Sequence, residues 1–312
     1  MRKAFIKALC EAAKKDKRIV LLTGDLGFNV LEEFQNRFPE RFFNIGVAEA
    51  NLVTVAAGLS TVGFHPFIYS IATFITMRPF EQIRNDVSLQ NLNVKIVGIG
   101  GGLSYTKAGP THHSMEDIAL MRTLGNISII APFDQEETYL STSAITKHEG
   151  PAYLRIGRNP EITIQNKKRS FILGKGIQAI QGDAFALCIT GATISIALET
   201  IKLLKKKNIQ PSLYIFSTIK PIDVSLLKKI AKEYKVIYTL EDHRIDGGFG
   251  SEVRDVIDNQ LLSRKIPVIK MGLKNTFSQI SADYDELLEH HELTPQQIVK
   301  QILSFQHVIH KK

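Results

Sequence analysis

The sequence predicts an α/β protein of two domains, each a mostly parallel sheet flanked by helices. Three features carry that expectation. Apolar runs of strand length, such as "RIVLLTGD", end in turn residues, as strands buried on both faces do. These runs alternate with stretches of helical spacing, the β–α–β order from which parallel sheets are built. The alternation breaks once, where Pro160, Gly174 and a polar stretch interrupt it, and then resumes. The expected organisation is a first domain over residues 1–160, a linker over 161–175 and a second domain over 176–312.

The elements follow in order. Phe5, Ala8, Leu9, Ala12 and Ala13 recur at helical spacing and predict a first helix. After "RIVLLTGD" come a helix through "VLEEFQNRF", a strand at "RFFNIG" and a long apolar helix from about Ala48 to Ser60. "HPFIYSI", "VKIVGIG", "ISIIAP" and "AYLRIG" are the next four strands. In the second domain the strands are "FALCIT", "SLYIFS", "KVIYTLED" and "PVIKMGL", with the helix "TISIALETIKLLKKK" after the first of them. The two halves share an architecture without a sequence repeat.

Composition narrows the function classes. Hydrophobic residues make up 44% and charged residues 22%, the balance of an ordinary globular chain. No apolar run reaches the roughly 18–20 residues of a bilayer span, and the N-terminal stretch lacks a signal-peptide pattern. Cys10 and Cys188 lie in apolar surroundings in different halves and read as reduced core thiols of a cytoplasmic protein. The net charge of +8 is spread over short lysine runs without interleaved aromatics. That argues against nucleic acid and for solvated helix ends, while suiting anionic small substrates. The cluster "VGIGGGL" is a poor dinucleotide fingerprint, because Leu103 takes the third glycine's place. Two distant cysteines and the His112–His113 pair make no zinc site.

Ligands of open α/β sheets bind beyond the carboxyl ends of the strands. Glu49, His112, His113 and Arg158 all fall at such ends. Each also has a plain structural reading. An acid in a first helical turn opposes the helix dipole, loop histidines are commonly solvated, and an arginine near a linker can be a surface residue.

Several motifs in one order then point further. "GVAEAN", "IATFITMRPFEQIRNDV" and "AGPTHHSMEDIALMRTLGNISIIAPFD" resemble the pyrimidine-binding domain of transketolases and 1-deoxyxylulose-5-phosphate synthases. "EDHRIDGGFGSEV" resembles their C-terminal domain, so the likeness covers essentially the whole chain. It implies thiamine diphosphate chemistry and transfer of a two-carbon ketol unit between sugars. Glu49 would bond a ring nitrogen of the cofactor's aminopyrimidine, where a poorly solvated carboxyl can share or donate a proton. Phe74 would stack on that ring, with Ile71 and Met77 beside it in a pocket more aliphatic than usual for the family. His112 would stand near the reacting carbonyl with His113 next to it. Arg158 and Arg2 would grip a sugar phosphate through their paired donors.

One part of the family pattern is missing. The "GDG" motif that holds the diphosphate and its Mg2+ is absent, since neither "TGDLGFN" nor "QGDAF" fits. The resemblance therefore implies the C-terminal subunit of a split enzyme. Its partner would be an N-terminal diphosphate-binding subunit holding most of the Mg2+ contacts. The expected assembly is a homodimer core within an α2β2 heterotetramer. The alternatives are the β subunit of a 2-oxo-acid dehydrogenase, a two-piece deoxyxylulose-phosphate-type synthase, and a non-catalytic scaffolding or regulatory subunit. Two further departures bear on substrate. Ala108 stands where transketolases carry an acid before "GPTH", and a family histidine falls at about Gly100. Both losses predict a larger acceptor side and a sugar other than the standard pentose phosphates.

Overall fold

The computed structural model describes residues 1–161, 163–164, 169–260 and 266–309. The expected linker therefore lies partly outside the described residues, at 162 and 165–168. Among the described residues, twelve strands form two sheets. They are β1 Ile19–Thr23, β2 Phe42–Asn44, β3 His65–Ile71, β4 Lys95–Ile99, β5 Ser128–Ile130, β6 Ala152–Ile156, β7 Ile177–Ile180, β8 Ala186–Ile189, β9 Ser212–Ile215, β10 Thr218–Lys220, β11 Ile237–Arg244 and β12 Val268–Leu273.

The first sheet runs β10-β5-β6-β4-β3-β1-β2 and the second β12-β11-β8-β9-β7. Ladders are parallel except where β10 meets β5 and β7 meets β9. The parallel strands β1, β4, β6 and β8 are buried along their whole length, which is why they read as largely apolar runs, with Lys95 at the start of β4 and Arg155 within β6 buried among them. In the first sheet β2 lies on one side of β1 and β3 on the other. The winding direction reverses there. A reversal opens a crevice at the carboxyl ends of the two central strands, here β1 and β3.

The two sheets are not independent. Strand β10 leaves the second half of the chain to pair with β5 at the edge of the first sheet. One hydrophobic cluster continues from Val20, Ile68 and Tyr153 to Cys188, Phe216 and Phe249. Arg155 of β6, fully buried, adds a polar staple. Its Nε donates to Asp117 at 2.7 Å and its Nη1 to Asp242, on β11, at 2.6 Å. Tyr153 also donates to Asp117, at 2.6 Å. Burial alone would raise the Asp117 carboxyl, but the Arg155 charge brings it below its ordinary value. Cys10 and Cys188 are buried and unpaired, and burial raises both thiols.

Candidate active site

Glu49 opens the helix Glu49–Thr61, which follows β2. The helix puts its first turn over the crevice between β1 and β3. Glu49 is 2% exposed. Ser70 of β3 donates to Oε1 at 3.1 Å, and Arg78 Nη1 donates to Oε2 at 2.8 Å. Gly24, just past β1, lies so close that an added Cβ would stand 3.6 Å from Oε1. A merely dipole-opposing acid would sit in solvent. Glu49 instead reaches inward to side chains from two other segments.

The segment after β3 supplies the neighbours. Phe74 lies on the short helix Ala72–Met77, and Arg78 follows four residues later on the same face. The Arg78 guanidinium stands 3.9 Å from the centre of the Phe74 ring. The His112 ring meets Phe74 edge-on at 5.1 Å, and Tyr105 meets His112 edge-on at 6.0 Å. Thr111 Oγ1 is 3.0 Å from His112 Nδ1. A continuous set of contacts therefore runs from Glu49 through Arg78, Phe74 and His112 to Tyr105. Ile71, half buried, precedes this helix. Met77 is exposed and, with Phe74, Thr111 and Phe277, lines an open groove of about 800 Å³.

The histidine pair is split. His112 faces the aromatic cluster. His113 is buried, and its Nε2–H donates to the Thr106 carbonyl at 2.9 Å, holding the turn Thr106–Ala108. Burial lowers its pKa, so the ring is held neutral. His113 nevertheless borders the same open groove as Phe74, Met77 and Thr111.

Arg2 and Arg158 line one cleft of about 470 Å³ together with Lys3, Gly100, Ser104 and Tyr105. Arg158 also stacks on Tyr284 at 4.6 Å and pairs with Glu161 at 3.3 Å. The enlargement expected at Gly100 is not present. Gly100 has φ +79°, and a Cβ there would lie 2.0 Å from the Tyr105 ring. Tyr105 fills the space that the missing histidine would leave. Ser70, Arg78 and Tyr105 are the site residues that sequence reasoning missed. The spacing of Arg78 from Phe74 was the one signal available for them.

A family model described as the transketolase pyrimidine binding domain matches residues 1–160, and one described as the transketolase C-terminal domain matches 174–298. The chain belongs to the transketolase family. A Methanocaldococcus jannaschii protein, provisionally described as a transketolase C-terminal section, is 38% identical over 306 residues, 97% of this chain and 95% of that one. One subunit of the apulose-4-phosphate transketolase of Phocaeicola vulgatus is 33% identical over 307 residues, 97% of this chain and 96% of that one. A split-gene transketolase solved as an inactive β4 tetramer superposes with a TM-score of 0.88 at 36% identity, covering 97% of both chains.

Transketolase chemistry implies thiamine diphosphate. Its pyrimidine needs a carboxyl at its edge and an apolar face to lie on. Buried Glu49 beside half-exposed Phe74 fits that half of the cofactor. Among the described residues, no three His, Cys, Asp or Glu side chains are grouped so as to hold a metal ion.

Proposed function

We propose that this chain is the pyrimidine-binding, C-terminal subunit of a split transketolase that moves a two-carbon ketol unit between sugars. It would act in the cytoplasm with a second polypeptide that carries the diphosphate site and Mg2+, as an α2β2 assembly. The observation that carries the reading is Glu49. It is a buried carboxyl at the reversal point of the sheet, within one chain of contacts of Phe74 and His112. The Methanocaldococcus and Phocaeicola relatives, described as a section and as one subunit of a transketolase, have nearly the length of this chain, which supports a separate partner.

When bound, thiamine diphosphate supplies a nucleophilic carbon that accepts the ketol unit. The protein residues do the rest. Glu49 holds a proton at the edge of the pyrimidine, oriented by Ser70. Phe74 positions the ring through its apolar face. His112 donates a hydrogen bond to the sugar oxygen on which charge develops. Arg158 and Arg2 face the same cleft and bind the anionic end of a sugar phosphate.

The test is calorimetry with thiamine diphosphate and Mg2+, on the chain alone and on the chain co-purified with its diphosphate-binding partner. Only the complex should bind and show ketol transfer. Micromolar binding by the chain alone would overturn the split-subunit reading. Release of carbon dioxide from a 2-oxo acid by the complex would reassign the reaction.

A further inference from the structure

Arg78 is the charged partner of the buried Glu49 among the described residues, and it comes from the surface. Its side chain is 46% exposed, whereas that of Glu49 is 1% exposed. A buried carboxylate without a partner is costly, so a cation drawn in from solvent stabilises this arrangement. The guanidinium does more than neutralise charge. One edge donates to Glu49 Oε2 at 2.8 Å while its carbon stands 3.9 Å from the Phe74 ring centre. A planar group with N–H donors on its edge and a face that stacks on an aromatic ring satisfies both residues at once.

Those are the two contacts that the pyrimidine reading asks of Glu49 and Phe74. They cannot be made twice. At 3.9 Å the guanidinium lies in van der Waals contact with the ring, and a second flat group does not fit between them. We infer that Arg78 is a resident stand-in for the cofactor's pyrimidine, holding Glu49 and Phe74 in place and leaving them when the cofactor binds. The inference rests on the pyrimidine-binding reading of these two residues.

The structure provides a way out for the side chain. Arg78 lies one residue beyond the short helix Ala72–Met77 and already borders the open groove lined by Met77, Thr111 and Phe277. Cofactor binding then becomes an exchange of one flat donor for another. The protein without cofactor is protected from an unpaired buried carboxylate, at the expense of affinity.

The experiment uses the full complex with its diphosphate-binding partner. Thiamine diphosphate is titrated by calorimetry, and the melting temperature is recorded without cofactor. Arg78→Ala should lower the cofactor Kd by about tenfold, because the competing closed form is lost. It should also lower the melting temperature of the cofactor-free complex. Arg78→Gln keeps a flat donor without charge and should fall between Arg78→Ala and the wild type, covering the case in which Arg78→Ala does not assemble. Phe74→Ala should weaken binding. If Phe74→Ala weakens binding but both Arg78 variants leave Kd unchanged or raise it, the stand-in is overturned and the pyrimidine reading survives. If Phe74→Ala leaves Kd unchanged, the pyrimidine reading itself fails.

Discussion

Glu49 and Glu241 are both buried glutamates near the carboxyl end of a strand, one in each sheet, each beside the start of a helix. They are held in opposite ways. Glu241, on β11, accepts from the backbone N–H of Phe249 at 2.6 Å and of Gly250 at 2.9 Å, at the start of the helix Phe249–Gln260. Gly248 is packed so tightly that an added Cβ would lie 2.1 Å from Glu241 Oε2. Those donors are fixed by the main chain and cannot leave. The donors to Glu49 are side chains, one of them half exposed. The difference separates a carboxyl that locks a loop onto a strand from one whose partners can be exchanged for a ligand. Neighbouring His243 belongs with the locked kind. Its Nδ1–H donates to the Arg244 carbonyl at 2.7 Å, its Nε2 accepts from the Ala119 N–H at 3.3 Å, and burial holds its pKa down to about 4.

The largest effect should come from the staple that fixes the two sheets. Arg155→Met would leave Asp117 and Asp242 buried without their shared cation. A broken buried pair costs about 3–5 kcal/mol. Urea unfolding should show that loss. A variant as stable as the wild type would mean that the hydrophobic cluster alone holds the sheets together.

Next comes Glu49→Gln. The amide keeps the shape of the side chain but cannot hold the proton. Turnover of the assembled complex should fall by about a hundredfold or more, with assembly retained. Loss of assembly would place Glu49 in the same structural class as Glu241.

The converse is Glu241→Gln. Gln has one acceptor oxygen, and its amide nitrogen would face a backbone N–H. The cost of a spoiled buried hydrogen bond is about 1–3 kcal/mol. Turnover per folded molecule should not change. The pH dependence sharpens the contrast. Burial raises the Glu241 pKa from the ordinary 4.5 to about 8, against the pull of its two backbone bonds. A raised carboxyl binds its proton more tightly when folded. Its contribution to stability is fully present below pH 4.5 and is lost as the pH rises through about 8. Melting curves from about pH 4 to 9 should show this slope in the wild type and lack it in Glu241→Gln.

The sequence made some of this legible and hid the rest for physical reasons. β1, β3 and β4 stand out because burial on both faces confines polar residues such as Thr23, His65, Ser70 and Lys95 to positions at or near their ends. β7 and β10 were missed. The first is an exposed edge strand of mixed polarity, and the second is three residues long and pairs in the sheet of the other half. Glu49, Phe74 and His112 were reachable because they lie in motifs. Arg78 lies in the same motif as Phe74, but its pairing was hidden, since an arginine just beyond a helix looks like a solvated end until its partner 29 residues earlier is placed beside it. Arg155 was hidden more deeply. An arginine within a strand reads as exposed, and its partners lie 38 and 87 residues away.

The smallest expected effect concerns Tyr105, which fills the position where a family histidine was missing. Its ring edges His112 and lines the cleft that holds Arg2 and Arg158, so it sets the size of that cleft without adding a charge to it. Removing an apolar surface from a pocket changes selectivity far less than removing a hydrogen-bonding group. Tyr105→Ala should therefore leave ketol transfer in place. It should shift the ratio of kcat/KM between a branched or otherwise bulky acceptor and a linear pentose phosphate by roughly tenfold in favour of the larger sugar, about 1.4 kcal/mol. The check is a paired kinetic series on the reconstituted complex. An unchanged ratio with a lower kcat would show that Tyr105 positions the His112 ring and does not set the size of the acceptor. The shape of the substrate would then be read on the other side of the cleft, at Arg158 and its support Tyr284.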